Sequence, residues 1–287
     1  MPLDSIAEIL ASCSERNLAF WQVVLEADVE ERQVCAEASF EKMRATWRAM
    51  LDSAESYDGG LRSVSGLSGG DGELMRRYAA GGAALGGGYI SEVIATALCV
   101  GESNACMRKI VAAPTAGACG VLPAVLVPLY RRGEREEDIL RALYTAAGIG
   151  AVINSRASIS GAAGGCQAEI GSASAMAAGA LAQLRGGGPE QTANALAMAL
   201  KNLMGLICDP VAGLVEVPCV KRNVIGAVNA VSCADMALAG ITSRIPADEV
   251  IDCMGIVGER LPREFRETAR GGLAATPTGR AAWKQLK

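Results

Sequence analysis

Residues 164–184 read GGCQAEIGSASAMAAGALAQL, a run of small and aliphatic side chains that follows two glycines. Alanine, leucine and glutamine are good helix formers, so the residues after Cys166 predict a helix whose small side chains let neighbouring backbones approach closely. Cys166 then lies at the N-terminus of this helix, where free N–H groups and the helix dipole stabilise a thiolate.

The composition of the whole chain agrees with this stretch. Of 287 residues, 51% are hydrophobic, 20% are charged and only 4% are aromatic. Such a chain can bury one sizeable core or two modest ones. Because alanine and glycine are abundant and aromatic residues are few, packed helices are favoured over sheets. We therefore predict an all-α fold, a compact Ala/Gly-rich domain of many helices.

The N-terminal part has a different pattern. Apolar residues recur at helical spacing, for example at Ile6, Ile9 and Cys13, and charged residues fill the gaps. This predicts two amphipathic helices with a break near Asn17. The glycine-rich passage SVSGLSGGDGEL (Ser63–Leu74) follows and is not expected to form regular helix. We place an N-terminal helical extension at 1–60 and the main domain at 61–287.

Proline and glycine mark the ends of later helices. Three glycines precede Pro189-Glu190, and proline followed by glutamate is typical of a first helical turn. The same signal at Pro246 predicts a helix that ends near Leu261-Pro262.

Two classes of partner are not expected. The net charge of -4 gives no electrostatic footprint for nucleic acid. The uncharged stretch Ile110–Tyr130 has the length of a membrane span, but Pro114, Pro123 and Pro128 interrupt it. A buried helical core is therefore favoured over a membrane segment.

The absence of histidine restricts the chemistry. A metal must be bound by thiolate or carboxylate, and a general base must be lysine, a carboxylate, an activated hydroxyl or a group from another chain. The ten cysteines and the lack of a cleavable apolar leader predict a reducing cytoplasm, with disulfides as the less favoured alternative.

Three cysteines lie beside glycine, proline or a carboxamide: Cys166, Cys208 and Cys219. Cys208 is expected to end the helix that begins at Pro189, and a loop containing Pro210 should bring it close to Cys219. Three thiolates without a fourth partner suit a metal centre with one open position. The alternative is that these cysteines are small buried hydrophobes.

Plain packing is the interpretation for the five cysteines on ordinary helix faces, which are Cys13, Cys35, Cys99, Cys233 and Cys253. Cys106 and Cys119 are left open. Glycine and hydroxyl clusters such as APTAGACG (Ala113–Gly120) and SISGAAGG (Ser158–Gly165) can turn backbone N–H groups toward a carboxylate or phosphate, or they can permit close helix packing. None follows a strand, as a nucleotide-binding loop would.

Several long motifs occur together and in order: SGLSGGD, APTAGACGVLPAVL, ASISGAAGGCQAEIGSASAMAAGA, LKNLMGLICDPVAGLVEVPCVKRNVIGAVNA and ETARGGLAATPTG. From Ser63 to Gly279 the chain thereby resembles the alpha subunit of iron-sulfur-dependent L-serine dehydratase.

The resemblance implies a lyase that eliminates water from L-serine to give pyruvate and ammonia, a reaction of serine catabolism that can supply gluconeogenesis. It implies a [4Fe-4S] cluster in place of pyridoxal phosphate, with Cys166, Cys208 and Cys219 on three irons. The fourth iron would polarise the serine hydroxyl while a base removes the alpha proton, and the aminoacrylate formed would tautomerise and hydrolyse. The alternatives are a related cysteine desulfidase and a non-catalytic helical scaffold.

The family has fused members and members with a separate beta subunit that carries a Ser-Ser-His-Thr motif. This chain has no histidine, and Asn202 stands where the fused members place one, so it resembles the split form and should act as a hetero-oligomer. The resemblance leaves the base unassigned.

Candidate residues for the remaining chemistry come from the glycine-rich loops and the cysteine segments. As the base we consider Lys201 and Lys221. For contact with L-serine we predict Ser65, Thr115, Ser160 and Asn223, since hydroxyls and amides can bind its carboxylate and amine.

Overall fold

The protein is described by a computed structural model over residues 4–286, and within this range all regular structure is helical. The predicted all-α fold is confirmed. Short 3-10 turns and one π-helical turn, Gln167–Gly171, lie between the longer elements. The thirteen α-helices of the described range are α1 (Ile6–Arg16), α2 (Phe20–Arg32), α3 (Ala36–Glu55), α4 (Asp71–Ala80), α5 (Gly87–Ala105), α6 (Val121–Arg131), α7 (Glu136–Arg156), α8 (Gly161–Gly164), α9 (Ser172–Leu184), α10 (Pro189–Asn202), α11 (Cys219–Leu238), α12 (Ala247–Arg260) and α13 (Pro277–Gln285).

Helix α9 is the centre of the fold. It is buried from Ser172 to Ala182 and packs against α6, α7, α10 and α11. Its small side chains make this possible, because neighbouring helices can approach only where little stands between the backbones. At Gly179 a Cβ atom would lie 2.3 Å from Cδ1 of Ile149 on α7. The alanine-rich sequence therefore produces a helix enclosed on all sides.

The first 56 residues form three helices, so the prediction of two was wrong. The expected break is present, since Asn17 ends α1 in the left-handed conformation with φ 51°. A second break follows α2, where Gln33 takes the same conformation with φ 52°. Neither glycine nor proline marks this second break, because a left-handed glutamine gives no compositional signal.

The N-terminal helices bury aromatic side chains against the rest of the molecule. Trp47 of α3 is fully buried, and its ring meets that of Tyr130 edge to face at 5.5 Å between centroids. Phe40 packs in the same manner on Tyr144 of α7, at 5.2 Å. The proposed domain boundary near residue 60 stays a prediction.

Two later helices begin where the sequence predicted, and one begins earlier than expected. Helices α10 and α12 begin beside Pro189 and Pro246 as predicted. The passage Ser63–Leu74 was wrongly excluded from helix at its end, since α4 already begins at Asp71. The reason is a distant cap: the buried carboxylate of Glu102 accepts hydrogen bonds from Asp71 N at 2.9 Å and Gly72 N at 3.1 Å.

The uncharged stretch Ile110–Tyr130 contains a loop and most of the buried helix α6. Among residues 4–286, no helix combines the length and the apolar character that crossing a membrane requires.

Candidate metal centre

Cys166 is placed at the start of the central helical segment, as predicted. The preceding Gly165 has φ +76°, and a Cβ atom there would lie 3.0 Å from the Leu206 carbonyl. Gln167 N donates to that same carbonyl at 2.9 Å. The Gln167 side chain accepts from Gly205 N at 2.8 Å. These contacts tie Cys166 to the turn that leads to Cys208.

Cys208 lies beyond the end of α10, which stops at Asn202, so the expectation that it ends this helix was wrong. Gly205, with φ +85°, turns the chain out of the helix. Cys208 N then donates to Phe265 O at 2.8 Å, and Glu267 N donates to Cys208 O at 2.9 Å. Because of this backbone pairing, the C-terminal part of the chain holds Cys208 in place.

Cys219 is the first residue of α11, at the end of the predicted loop. Its carbonyl accepts a hydrogen bond from Asn223 Nδ2 at 2.9 Å. The same amide nitrogen donates to Gly117 O at 2.8 Å, and Gly120 N donates to Asn223 Oδ1 at 2.8 Å. Asn223 therefore joins the Cys219 segment to the loop Ala113–Gly120.

The cysteine thiols meet a carboxylate that the sequence analysis did not identify. Cys166, Glu169 and Cys208 each offer one possible metal-ligand atom, and these three atoms lie within 4.8 Å of one another. Glu169 Oε2 is 3.8 Å from Cys208 Sγ, and its Oε1 accepts from Thr115 Oγ1 at 2.7 Å. Cys219 is outside this compact group but close enough for its charge to act on Cys208.

A sequence signal for Glu169 exists. It is the only charged residue between Arg156 and Arg185, in a stretch that is otherwise apolar, small or uncharged. The π-helical turn Gln167–Gly171 carries it, and such turns are frequent at functional sites.

The electrostatics of the pocket favour one thiolate first. A hydrogen bond from the Cys208 thiol lowers the pKa of Cys166, against the effect of burial, and the charge of Arg222 lowers it further. The pKa of Cys208 is raised, first by that same hydrogen bond and then by burial. Burial raises the pKa values of Cys219 and Glu169. Cys166 is thus the first of the three thiols to ionise.

Arg222 is the positive group of the pocket. Its guanidinium donates to Ile207 O at 2.8 Å and forms an ion pair with Asp209 at 2.8 Å. Both side chains of the pair are largely buried, with 15% and 3% of their surfaces exposed. Asp209 Oδ2 also accepts from Leu273 N at 2.7 Å. A cation is thereby held beside the residues that flank Cys208.

The predicted substrate contacts are divided among different places. Thr115 and Asn223 belong to the cysteine pocket through the contacts given above. Ser160 is exposed and precedes α8, whose first residue Gly161 faces Glu169 and Cys208. Ser65 lies in the glycine-rich loop, where its Oγ donates to the buried Glu216 at 2.6 Å.

The two candidate bases bind other groups. Lys201 Nζ donates to Ser243 O at 2.7 Å. Lys221, with 70% of its side chain exposed, forms an ion pair with Asp71 at 2.8 Å. No hydrogen bond or ion pair within residues 4–286 links either lysine to the three cysteines or to Glu169.

The packing interpretation of the other cysteines was right for Cys13, Cys99 and Cys233, which are buried. It was wrong for Cys35 and Cys253, which are exposed. Cys35 is the N-cap residue of α3, and Cys253 lies on α12. The two that were left open differ: Cys119 is buried, and Cys106 is partly buried.

The donor set fits an iron-sulfur cluster in its chemistry. Three buried thiols come from three separate segments, and cysteine thiolates are the usual ligands of such clusters. Arg222 offsets negative charge, and Gly161 leaves space, since a Cβ atom there would lie 3.2 Å from Cys208 Sγ. With no histidine in the chain, thiolate and carboxylate are the donors that remain.

Comparison with known proteins defines the class of this helical, thiol-containing fold. Residues 15–274 match the family model described as serine dehydratase alpha chain, and the protein belongs to this family.

Its relatives include two alpha chains of similar length. It is 46% identical over 283 residues to the probable L-serine dehydratase alpha chain of Bacillus subtilis, covering 98% of this chain and 94% of that one. It is 41% identical over 283 residues to the L-serine dehydratase alpha chain of Peptoniphilus asaccharolyticus, covering 96% of each. A longer relative, the L-serine dehydratase TdcG of Escherichia coli, is 48% identical over 181 residues, which are 62% of this chain and 40% of that protein.

Proposed function

We propose that this protein is the catalytic alpha chain of an L-serine dehydratase, an ammonia-lyase that converts L-serine to pyruvate and ammonia. Family membership and the names of the full-length relatives support the reaction. The observation that carries the proposal is the convergence of the buried Cys166 and Cys208 with Glu169 in one pocket.

The proposed cofactor is a [4Fe-4S] cluster, with Cys166, Cys208 and Cys219 as its ligands and without pyridoxal phosphate. When bound, the cluster would supply a Lewis acid that polarises the serine hydroxyl as a leaving group. Arg222, fixed by Asp209, balances the negative charge of the thiolates. Thr115 and Asn223 hold the loop Ala113–Gly120 against the pocket.

Substrate binding is assigned to hydroxyl and amide groups around the pocket. Thr115 is the best placed of the predicted contacts, because its Oγ1 already lies 2.7 Å from Glu169 in the pocket. Ser160 lies next to Gly161 at the exposed side and can reach a substrate that enters there. Ser65 and Asn223 would act through the loops that they fix.

The active enzyme is proposed to be a cytoplasmic hetero-oligomer with a beta chain. Two relatives are named alpha chains, which supports a companion subunit. Lys201 and Lys221 are engaged by Ser243 and Asp71, so we assign the proton-abstracting group to the partner. A partner with histidine would provide the acid-base group that this chain lacks.

The test is anaerobic co-expression with the beta chain, followed by iron and sulfide analysis and by assays of pyruvate release from L-serine and L-cysteine. We expect about four irons and four sulfides per alpha chain and a preference for serine. A colourless protein without iron or sulfide would contradict the cluster. A strong preference for cysteine would identify a desulfidase instead.

A further inference from the structure

Glu169 is a half-buried carboxylate in a space that two glycines keep free. A Cβ atom on Gly161 would lie 2.5 Å from Glu169 Oε2, and one on Gly117 would lie 3.1 Å from Oε1. Any other residue at 161 would displace the carboxylate. The two loops that carry these glycines therefore form a cradle for it.

This carboxylate lacks a cationic partner. Within residues 4–286 it forms no ion pair, and Arg222, whose charge reaches it, is paired with Asp209. Its one strong hydrogen bond comes from the Thr115 hydroxyl, at 2.7 Å. A carboxylate that is largely removed from water and has no cationic partner is unfavourable in its charged form. The position therefore calls for a proton or a positive group beside Glu169.

The surroundings of Glu169 Oε2, the second carboxylate oxygen, indicate a metal as that positive group. Glu169 Oε2 lies 3.8 Å from Cys208 Sγ, and the space above Gly161 is bordered by both atoms. Donor atoms of Cys166, Cys208 and Glu169 fall within 4.8 Å of one another, a distance that one metal centre can bridge. Carboxylate oxygen is a known ligand of iron, as in the 2-His-1-carboxylate sites of non-haem iron enzymes.

We propose that Glu169 is the oxygen ligand of the iron that the three cysteines leave without a thiolate, and that L-serine displaces it on binding. This inference rests on the proposed [4Fe-4S] function. It accounts for a carboxylate beside an anionic thiolate set, since coordination to iron neutralises its charge. It also gives the open coordination position a resting occupant that substrate can replace.

The direct test measures coordination and not turnover. The alpha–beta complex is prepared anaerobically with glutamate labelled with 13C at the side-chain carboxyl, its cluster is reduced, and the 13C coupling is measured by electron–nuclear double resonance. We expect a coupling in the substrate-free wild type that disappears in Glu169→Gln and on addition of L-serine. Glu216→Gln is the matched control, because Glu216 is likewise a carboxylate that accepts hydrogen bonds from hydroxyl groups but lies outside the compact donor group.

A second readout is retention of the fourth iron. Ferricyanide removes one electron from the [4Fe-4S] core, which releases Fe2+ and leaves a paramagnetic [3Fe-4S] core. Loss of a metal-binding contact typically weakens metal affinity about 10- to 100-fold, so Glu169→Gln should form the [3Fe-4S] signal at least about tenfold faster than wild type. Glu169→Asp should fall between the two, and Glu216→Gln should match wild type.

The outcomes separate this inference from the proposed function. A wild type without iron and sulfide overturns both. An intact cluster with no 13C coupling in the substrate-free wild type overturns this inference alone, and that measurement needs no variant to fold. The inference is also overturned if Glu169→Gln keeps wild-type iron retention but loses serine affinity, while binding of 3-hydroxypropionate is unchanged. That result would assign the carboxylate to the substrate ammonium group.

Discussion

Two sets of buried cysteines in this molecule differ in their surroundings and not in their depth. The pocket cysteines are 2–7% exposed and the core cysteines 0–1% exposed. Among the core thiols, Cys119 Sγ has only a weak contact with Val100 O at 3.9 Å, and Cys233 Sγ contacts the neutral side-chain amides of Asn202 and Asn229. The thiols of Cys166 and Cys208 meet each other and the Glu169 carboxylate, the charge of Arg222 acts on Cys166, and the charge of Cys219 acts on Cys208. The pocket cysteines are Cys166, Cys208 and Cys219, and the core cysteines are Cys99, Cys119 and Cys233.

The comparison shows that burial alone does not identify a metal ligand. Burial raises the pKa of Cys99 and that of Cys119 to about 12, so a core thiol stays protonated and unreactive. At Cys166, a hydrogen bond from Cys208 and the charge of Arg222 lower the thiol pKa despite burial. The convergence of polar groups from separate segments therefore distinguishes the pocket.

The largest expected difference between the two sets is in cluster binding. Cys208→Ala removes one proposed ligand, so the alpha–beta complex should lose its iron and its serine turnover should fall to background. Cys119→Ala removes a core thiol and should retain the cluster, with a free energy of unfolding lower by about 1–2 kcal/mol. Iron analysis, pyruvate assays and chemical denaturation measure these effects. Full iron content in the Cys208 variant would remove this residue from the ligand set.

The buried ion pair of Arg222 and Asp209 beside the pocket can be compared with an exposed ion pair. Asp209→Asn keeps the shape of the side chain but leaves the buried Arg222 without its partner. The free energy of unfolding of the cluster-free chain should fall by about 3 kcal/mol, because unpaired buried charge is poorly tolerated. Lys221→Gln breaks an exposed pair with Asp71 and should change the free energy of unfolding by at most about 1 kcal/mol. Equal losses of unfolding free energy in the two variants, measured by chemical denaturation, would contradict this difference between a buried and an exposed ion pair.

Two glycines allow the pocket and the core to be perturbed separately. Gly161→Ala places a methyl group against Glu169 and should lower serine turnover about 10- to 100-fold. Gly179→Ala places one against Ile149 and should lower the free energy of unfolding by about 1–3 kcal/mol through overpacking. Turnover should stay near wild type in the second variant. Pyruvate assays and chemical denaturation of both variants measure these effects. A Gly179 variant that loses turnover without losing stability would contradict the expected difference.

The sequence predicted the elements whose ends carry strong local signals. Pro189 and Pro246 mark helix starts, and the small residues after Cys166 mark the central helix. The break at Gln33 was missed because glutamine seldom adopts the left-handed conformation. The start of α4 at Asp71 was missed because its cap comes from the distant Glu102. Long-range capping is outside the reach of local patterns.

The site was predicted in part for the same reason. Each of the three pocket cysteines has glycine or proline within two residues in the sequence, and this pattern indicated them as candidates. Glu169 was missed, although it stands alone among uncharged residues, because its role depends on the cradle of Gly117 and Gly161. Lys221 was considered only for its position in the chain near Cys219, and its partner Asp71 lies in another helix. Proximity in sequence thus indicated segments that meet in the pocket, but not every side chain that meets there.

The effect that is smallest near neutral pH concerns the core cysteines, because their contribution to stability changes only at alkaline pH. Their thiols have pKa values raised from 9.0 to about 12 for Cys99 and Cys119, so the unfolded chain releases these protons first. Their contribution to stability is complete below pH 9 and is lost as the pH rises toward 12, by up to about 1.4 kcal/mol per thiol and pH unit. The double variant Cys99→Ala, Cys119→Ala should therefore show a flatter decline in the free energy of unfolding between these pH values than the wild type. Denaturation of the cluster-free chains at several pH values measures the difference, and parallel curves would mean that burial does not hold the core thiols protonated.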